Sequence, residues 1–309
     1  RSSIDLSVME EQRGDDLPRP FSFDAEPGAF APVQLPCHLT WTTEATHRFL
    51  RASIGRSPLY AGAITGVGAR YCPSLEDKVM RFAGKERHQV LLEPEGRDTE
   101  EIYAKGLGNC LPLDVQEALV RSVPGLEQAE IMRPAYAVEY DFVQPTQLSP
   151  TLETKAVSRL FLAGQVNGTS GYEEAAAQGL WAGINAACLA QSRPPFVLDR
   201  SEAYLGVLVD DLVTCGTREP YRMFTSRAEW RLLLREDNAD LRLRERGREL
   251  GLVGDDAYAR YRARRDAIAG ELARVRRTRV APTPETNARL RELGTAPLAE
   301  PATIWALLH

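Results

Sequence analysis

Residues 160–179 read Leu-Phe-Leu-Ala-Gly-Gln-Val-Asn-Gly-Thr-Ser-Gly-Tyr-Glu-Glu-Ala-Ala-Ala-Gln-Gly, and their order decides the fold. The apolar run Leu160 to Ala163 predicts a buried strand that stops at Gly164. A short loop with Gly168 and Gly171 then opens a helix rich in small residues. Strand, glycine loop and helix in that order bring backbone close to a bound ligand, because glycine alone tolerates the approach. Ser170 stands three residues before Glu173, the spacing of a capping box. Ala175, Gly179, Gly183 and Ala187 recur every four residues, a smooth stripe that fits a sheet or a flat cofactor. Glu173 and Glu174 already answer the positive helix end, so a neutral polar group such as a flavin ring edge suits the loop better than a pyrophosphate. A plain strand–helix packing unit carries the same pattern.

Outward from this stretch, composition sets bounds. A chain of 309 residues holds two or three domains, and 43% hydrophobic with 26% charged residues is ordinary for a soluble globular protein. No apolar run reaches the ~18 residues needed to span a bilayer, so no membrane role is expected and the default location is cytoplasmic. Five cysteines, Cys37, Cys72, Cys110, Cys188 and Cys215, are widely spaced with no Cys-x-x-Cys pair. That pattern argues against a disulfide framework, and with four scattered histidines it argues against a metal site. The net charge of −5 excludes a uniformly basic nucleic-acid binder. Yet residues 242–279 hold twelve arginines against six acids, a local excess of the kind an RNA backbone needs. A solvated helix face gives the same count, and arginine exceeds lysine throughout.

Residues 1–35 read as proline-punctuated loop. Strands are expected at Val33–Thr40, His88–Leu92, Ala129–Met132 and Tyr136–Phe142, and helices at Thr43–Ala52, Leu75–Phe82 and Val115–Ser122. The proline-bearing link Arg193 to Asp199 marks a boundary. Beyond it the chain reads as helical, through Tyr204–Leu212 and Ala257–Arg279.

Two blocks carry further chemistry. Cys72 precedes Pro73, a good first helical residue, and lies between Arg70 and Lys78; helix dipole and positive charge favour its thiolate. Gly68, Arg70, Tyr71 and the helix start suit a phosphate and a flat ring. Farther along, Arg222, Arg227, Arg231 and Arg235 interleave with Tyr221, Phe224 and Trp230, as phosphate contacts and stacking platforms for an unpaired RNA loop. Arg227, Arg231 and Arg235 are four apart, so one helix face presents all three. Ion pairing with Glu229, Glu236 and Asp237 is the plainer use of these arginines.

The 160–179 stretch resembles the second flavin-contact motif of the tRNA uridine-5-carboxymethylaminomethyl modification enzymes, the MnmG or GidA family. Gly-Val-Gly-Ala-Arg-Tyr-Cys-Pro-Ser-Leu-Glu-Asp-Lys at 66–78, Tyr-Leu-Gly-Val-Leu-Val-Asp-Asp-Leu at 204–212 and the block from Glu219 to Leu243 are similar to the same family. The likeness covers nearly the whole chain and thins beyond about residue 280. The family's amino-terminal Gly-x-Gly-x-x-Gly fingerprint is missing, and Gly66-Val67-Gly68 lacks the third glycine. The chain therefore reads as an internal fragment of a longer enzyme. Trp230 stands where a tyrosine is usual, and Arg48 where some relatives have aspartate.

The resemblance implies an α/β fold: the C-terminal part of a Rossmann-like FAD-binding domain with an α/β insertion, followed by a mainly helical domain. The expected division is an insertion with the nicotinamide and substrate region at 1–150, the flavin part at 151–195, and a helical tRNA- and partner-binding region at 196–309. It implies flavin-dependent modification of the tRNA wobble uridine at C5, with FAD, NADH and methylene-tetrahydrofolate as carbon donor. The implied partners are the tRNA anticodon loop, the GTPase MnmE and a second copy of the chain. Cys72 is the implied catalytic residue. Gln165, Asn167, Gly168, Gly171 and Tyr172 are the implied FAD contacts. Gly68, Ala69, Arg70, Tyr71, Cys72, Pro73, Ser74, Leu75, Glu76, Asp77, Lys78, Val79, Met80, Arg81 and Phe82 form the implied NAD segment. Arg222, Arg227, Arg231 and Arg235 are the implied tRNA contacts, and no metal is expected. Rival readings are a folate- and FAD-dependent tRNA uracil-5-methyltransferase, or a non-catalytic RNA- or partner-binding fragment.

Overall fold

The computed structural model describes residues 1–25, 32–66 and 73–308, which form two compact units, Arg1–Arg231 and Leu232–His309. The first unit begins with an antiparallel sheet in chain order: β1 (Glu10–Gln12), β2 (Cys37–Trp41), β3 (Gln89–Pro94) and β4 (Ile102–Lys105). The β2–β3 register sets Thr40 opposite Val90 and His38 opposite Leu92. Val90 and Leu92 alternate with less buried neighbours, so one face of β3 meets the core. Helices α1 (Glu44–Ser53), α2 (Leu75–Arg81) and α3 (Leu113–Arg121) cover that face with Leu50, Leu75, Val79, Val115 and Leu119, all buried to within 1% of complete. Each such side chain contributes about 1.5–3 kcal/mol through removal from water.

Local signals set the helix starts. The Thr43 hydroxyl accepts the Thr46 N–H while the Thr46 hydroxyl accepts the Thr43 N–H, closing a capping box on α1. Ser74 accepts the Asp77 N–H and is the N-cap of α2, so Pro73 precedes the helix instead of beginning it.

Several expectations fail for one reason. Ala129–Met132 and Tyr136–Phe142 form no strand, and Leu160–Ala163 is held by a single bridge, Glu153 to Phe161. Tyr136, Val138, Tyr140 and Phe142 do alternate, but all four are exposed. Alternation alone does not make a strand; a neighbouring backbone must take up the ladder, and none among the described residues does. The expected strand at Val33–Thr40 begins only at Cys37. Conversely, Glu10–Gln12 in the expected loop pairs with β2, and β4 carries too short a pattern to be read.

After the sheet come α4 (Tyr172–Ala190) and α5 (Tyr204–Cys215), which pack on each other. Trp181 of α4 is wholly buried and donates from Nε1 to the Pro150 carbonyl at 2.9 Å. The second unit, taken alone, is built on α6 (Ala239–Glu249), α7 (Asp255–Arg277) and α8 (Pro284–Glu292), with two-residue strands β5 (Arg279–Val280) and β6 (Ala302–Thr303). In it Arg248, Arg264, Arg265 and Arg274 bind Asp255, Asp240, Glu245 and Glu271, so those arginines are spent within the unit. No helix among the described residues is long and apolar enough to cross a membrane, and no group of side chains among them could hold a metal ion.

A buried histidine pair sits where the central strands β2 and β3 meet α1, His88 just before β3 and His47 within α1. The His47 and His88 rings lie 5.1 Å apart, and Thr42 Oγ1 bonds His47 Nε2 at 2.7 Å and accepts the His88 backbone N–H at 2.8 Å. His47 Nδ1 and His88 Nε2 are buried without partners. Burial holds both imidazoles below their ordinary pKa, helped by Arg51 at His47 and by His47, Lys78 and Lys85 at His88. The folded state therefore binds fewer protons than the unfolded chain, whose imidazoles titrate near 6.5. This contribution to stability is present above about pH 6.5 and is lost as pH falls through the depressed folded values. Thermal melts from pH 8 to pH 5 should show a falling Tm, and His88→Gln should flatten that slope; an unchanged slope contradicts the assignment.

Candidate functional site

The stretch that opened the sequence forms a tight 3-10 turn at Gly164–Asn167 followed by α4. Gly164, Gly168 and Gly171 have φ of +81°, +69° and +136°, conformations that side-chain-bearing residues rarely adopt. At Gly171 space adds a second requirement: a Cβ would lie 2.0 Å from Glu174 Oε2 and 2.9 Å from the Arg222 guanidinium carbon. The expected capping box is absent. Gly171 is the N-cap of α4 and supplies no side-chain hydrogen bond, while Ser170 Oγ is buried without a partner.

What holds the turn instead is Gln178, one helical turn beyond Glu174 and wholly buried. Its Oε1 accepts from Asn167 Nδ2 at 2.8 Å and from the Gly164 N–H at 3.3 Å; its Nε2 donates to Thr169 Oγ1 at 2.9 Å and to the Glu174 carbonyl at 3.1 Å. Thr169 in turn donates to the Gly164 carbonyl at 3.0 Å. A buried primary amide with all these bonds made is a rigid clamp, and an expensive one to leave unmade.

Of the expected flavin contacts, Gln165 is exposed, and its amide has no hydrogen bond among the described residues. Tyr172 is 93% exposed. Asn167 is buried and turned inward to Gln178 and the Leu162 carbonyl, with its Oδ1 unpartnered. Gly168 and Gly171 shape the backbone. The stripe Gly179, Gly183 and Ala187 faces outward, and open space lies where Cβ atoms on the two glycines would stand. The buried face of α4 is the other one, Glu174, Gln178, Trp181, Asn185 and Cys188. A free amide at the end of a glycine turn, beside an uncrowded face of a helix, fits a flat group with a polar edge.

The loop that follows α5 runs alongside this turn. Tyr221 donates its N–H to the Gly168 carbonyl at 2.8 Å and accepts the Ser170 N–H at 3.0 Å. Glu174 Oε1 accepts from Arg222 Nε at 3.1 Å and from the Met223 N–H at 2.8 Å. Arg200, which no motif in the sequence singles out, binds Asp210 at 2.9 Å, Asp211 at 2.6 Å and Glu229 at 2.7 Å, and reaches the Arg227 carbonyl. Tyr221 is buried, its hydroxyl donating to Asp211 at 2.6 Å, with the Arg227 guanidinium 4.3 Å over its ring. Burial and Asp211 push its hydroxyl pKa well up.

Two expectations for this loop are corrected. Residues 228–235 are not helical, so Arg227, Arg231 and Arg235 do not share a helix face. Arginine side chains hold the chain in a turned path: Arg227 Nε bonds the Arg222 carbonyl at 2.9 Å, and Arg200 bonds the Arg227 carbonyl. Tyr221, being buried, offers no stacking face, whereas Phe224 and Trp230 are exposed. Arg222 is bound to Glu174. Arg231 is exposed, with no ion pair or hydrogen bond among the described residues. Arg235 lies in the second unit and pairs with Asp237 at 2.6 Å.

Gly68, Ala69, Arg70, Tyr71 and Cys72 lie outside the described residues. Within the rest of that segment Leu75 and Val79 face the core, while Pro73, Met80, Arg81 and Phe82 are exposed. Asp77 pairs with Arg81 at 3.2 Å and Lys78 approaches the Gly106 carbonyl. Glu76 is wholly buried: its Oε1 accepts the Cys110 N–H at 2.9 Å and the Ser57 hydroxyl at 3.3 Å, and its Oε2 has no partner.

The chain is similar to known proteins along its whole length. A family model described as glucose inhibited division protein A matches residues 1–194. The tRNA uridine 5-carboxymethylaminomethyl modification enzyme MnmG of Syntrophobacter fumaroxidans is 62% identical over 308 residues, covering 100% of this chain and 48% of that enzyme. The MnmG of Geobacter sulfurreducens is 58% identical over 308 residues. The crystal structure of Aquifex aeolicus GidA in form II superposes with a TM-score of 0.81 at 44% identity, over 99% of this chain and 48% of that one. The fold is thus the mixed α/β architecture of GidA. The chain belongs to the glucose inhibited division protein A (MnmG/GidA) family, and it spans about half the length of the relatives it matches.

Replacing Gln178 by leucine removes the partners of Gly164 and Thr169 at similar volume. The variant should lose about 2–4 kcal/mol of unfolding free energy in urea titration, from buried groups left unpaired. Gln165→Leu, at an exposed amide, should change it by less than about 0.5 kcal/mol. Equal effects would refute the clamp.

Proposed function

We propose that this chain is part of a flavin-dependent enzyme that modifies C5 of the wobble uridine of tRNA, adding a carboxymethylaminomethyl- or aminomethyl-type group. The observation that carries the proposal is the Gly164–Gly171 turn with its free Gln165 amide and open helix face. The names of the relatives supply the substrate class. FAD rests in this reading on Gln165, Gly168, Gly171 and Tyr172, with Asn167 supporting the turn from beneath. The segment is the C-terminal part of a Rossmann-like FAD-binding domain, and the sheet with α1 to α3 is the α/β insertion. The flavin, when bound, supplies the redox chemistry, with NADH as reductant at Gly68–Phe82 and methylene-tetrahydrofolate as carbon donor.

The chain's own residues orient and hold charge. Gln165 accepts from and donates to the cofactor's polar chain. Cys72, set by sequence between Arg70 and Lys78, is the thiolate nucleophile or base. Arg231 and Arg227, with Phe224 and Trp230 exposed near them in sequence, meet the anticodon loop, from which the uridine leaves its stack. Arg235, although paired with Asp237, completes this contact set, whereas Arg222, expected from the resemblance to touch the RNA, is held by Glu174 and shapes the loop from within. A homodimer and the GTPase MnmE are the proposed partners, with a cytoplasmic location.

The full-length protein should be yellow, with a flavin absorbance spectrum, and tRNA incubated with its substrates should gain the mass of an aminomethyl-type group. A bare methyl gain would instead indicate a folate-dependent uracil methyltransferase, and a colourless protein that binds RNA would indicate a non-catalytic module. Cys72→Ser in the full-length enzyme should abolish modification while flavin stays bound; unchanged modification removes Cys72 from the mechanism. Arg231→Glu should raise the tRNA Kd by about tenfold or more, through the loss of one phosphate contact and the gain of a repulsive charge. An unchanged Kd retires it as a contact.

A further inference from the structure

Glu174 occupies an unusual position between two functional elements. Its carboxylate is 98% withdrawn from solvent, on the first turn of the helix that follows the glycine turn. Oε1 is committed to Arg222 Nε and the Met223 N–H, both on the arginine loop. Oε2 is buried with no hydrogen-bond partner and lies against Gly171, 2.0 Å from where a Cβ would stand. A carboxylate half-satisfied in a dry setting is costly to keep, and the cost falls only when a donor reaches it or the backbone around it shifts. The same two segments are joined by the Thr169–Tyr221 bridge and the paired bonds between Tyr221, Gly168 and Ser170. Turn, carboxylate, guanidinium and loop thus form one contiguous chain of contacts within the first unit.

We propose that Glu174 is a positioning residue that couples the two sites: an occupant of the Gly164–Gly171 turn sets the Gly171 backbone against Glu174, and Glu174 sets the RNA-binding loop through Arg222. In this account Arg222 acts through its ion pair and not by touching RNA. The inference rests on the proposed flavin and RNA sites and adds that they are thermodynamically linked. Linkage requires reciprocity: whatever factor the flavin contributes to RNA affinity, RNA contributes to flavin affinity.

The test is a set of titrations on the full-length protein, using FAD and an anticodon stem-loop RNA as ligands. For the wild type, RNA should bind about tenfold more tightly to flavin-loaded than to flavin-free protein, within the usual range of coupling between sites. In Glu174→Gln, which keeps the shape and the acceptor for the Met223 N–H but loses the charge, that factor should fall towards one. Arg222→Gln should do the same, and the double variant should lose no more than either single one. A simple structural role would lower stability without collapsing the factor, so circular dichroism is recorded alongside. If Glu174→Gln does not fold, the half-exposed Arg222→Gln decides alone. The proposal is overturned if the wild type binds RNA equally in both states, or if the variants keep the factor. It is overturned too if Arg222→Gln weakens RNA equally with and without FAD while Glu174→Gln has no effect, which would make Arg222 a direct contact. Wild-type protein that binds neither ligand refutes the proposed function itself and this coupling with it; binding of both without mutual influence refutes the coupling alone.

Discussion

The buried Gln178 amide must satisfy both its acceptor and its donor in a setting without water, and doing so fixes everything around the glycine turn. It ties Gly164, Asn167 and Thr169 to the first turns of α4. With these groups held, Gly164, Gly168 and Gly171 are locked at positive φ, and Gln165 alone in the turn keeps a free side chain pointing out. A ligand that docks there meets a preformed surface and loses little affinity to ordering it. The turn in turn carries the next element, because Tyr221 hydrogen-bonds to its backbone on both sides.

Charge is arranged on the same principle of commitment. The arginine-rich loop is not a uniform basic surface, since most of its cations have structural partners. Arg200 gathers three carboxylates and a carbonyl, Arg222 takes Glu174, and Arg227 lies over Tyr221. These interactions give the loop a defined shape in place of a helix. Arg231 is left exposed beside Trp230 in sequence, a cation and a flat ring free of other duties among the described residues. Surface ion pairs contribute little individually, but a network centred on one guanidinium holds three segments together.

What could be read from the chain divides by range. Helices α1 to α3 and strands β2 and β3 were legible because their causes are local: Thr43 and Ser74 cap, and Val90 and Leu92 alternate. The expected strands at 129–132, 136–142 and 160–163 failed because pairing is not local, and their alternation or apolar character finds no ladder among the described residues. At the site the glycine positions were legible, since positive φ is nearly a property of the residue type. Gln178, Glu174 and Arg200 were not, because their roles arise from partners up to 49 residues away in the chain. The helix expected across Arg227 to Arg235 failed for a related reason: side-chain bonds to carbonyls at 222 and 227 outweigh a favourable four-residue spacing.

The proposed function depends most on the Gly164–Gly171 turn being the seat of the flavin. Hydrogen exchange on the full-length protein, with FAD removed and restored, measures this amide by amide. A flavin seated there adds protection over residues 164–172, extending to Tyr221, with little change in the β2–β3 ladder. Unchanged exchange at the turn, with protection appearing elsewhere in the chain, would contradict it.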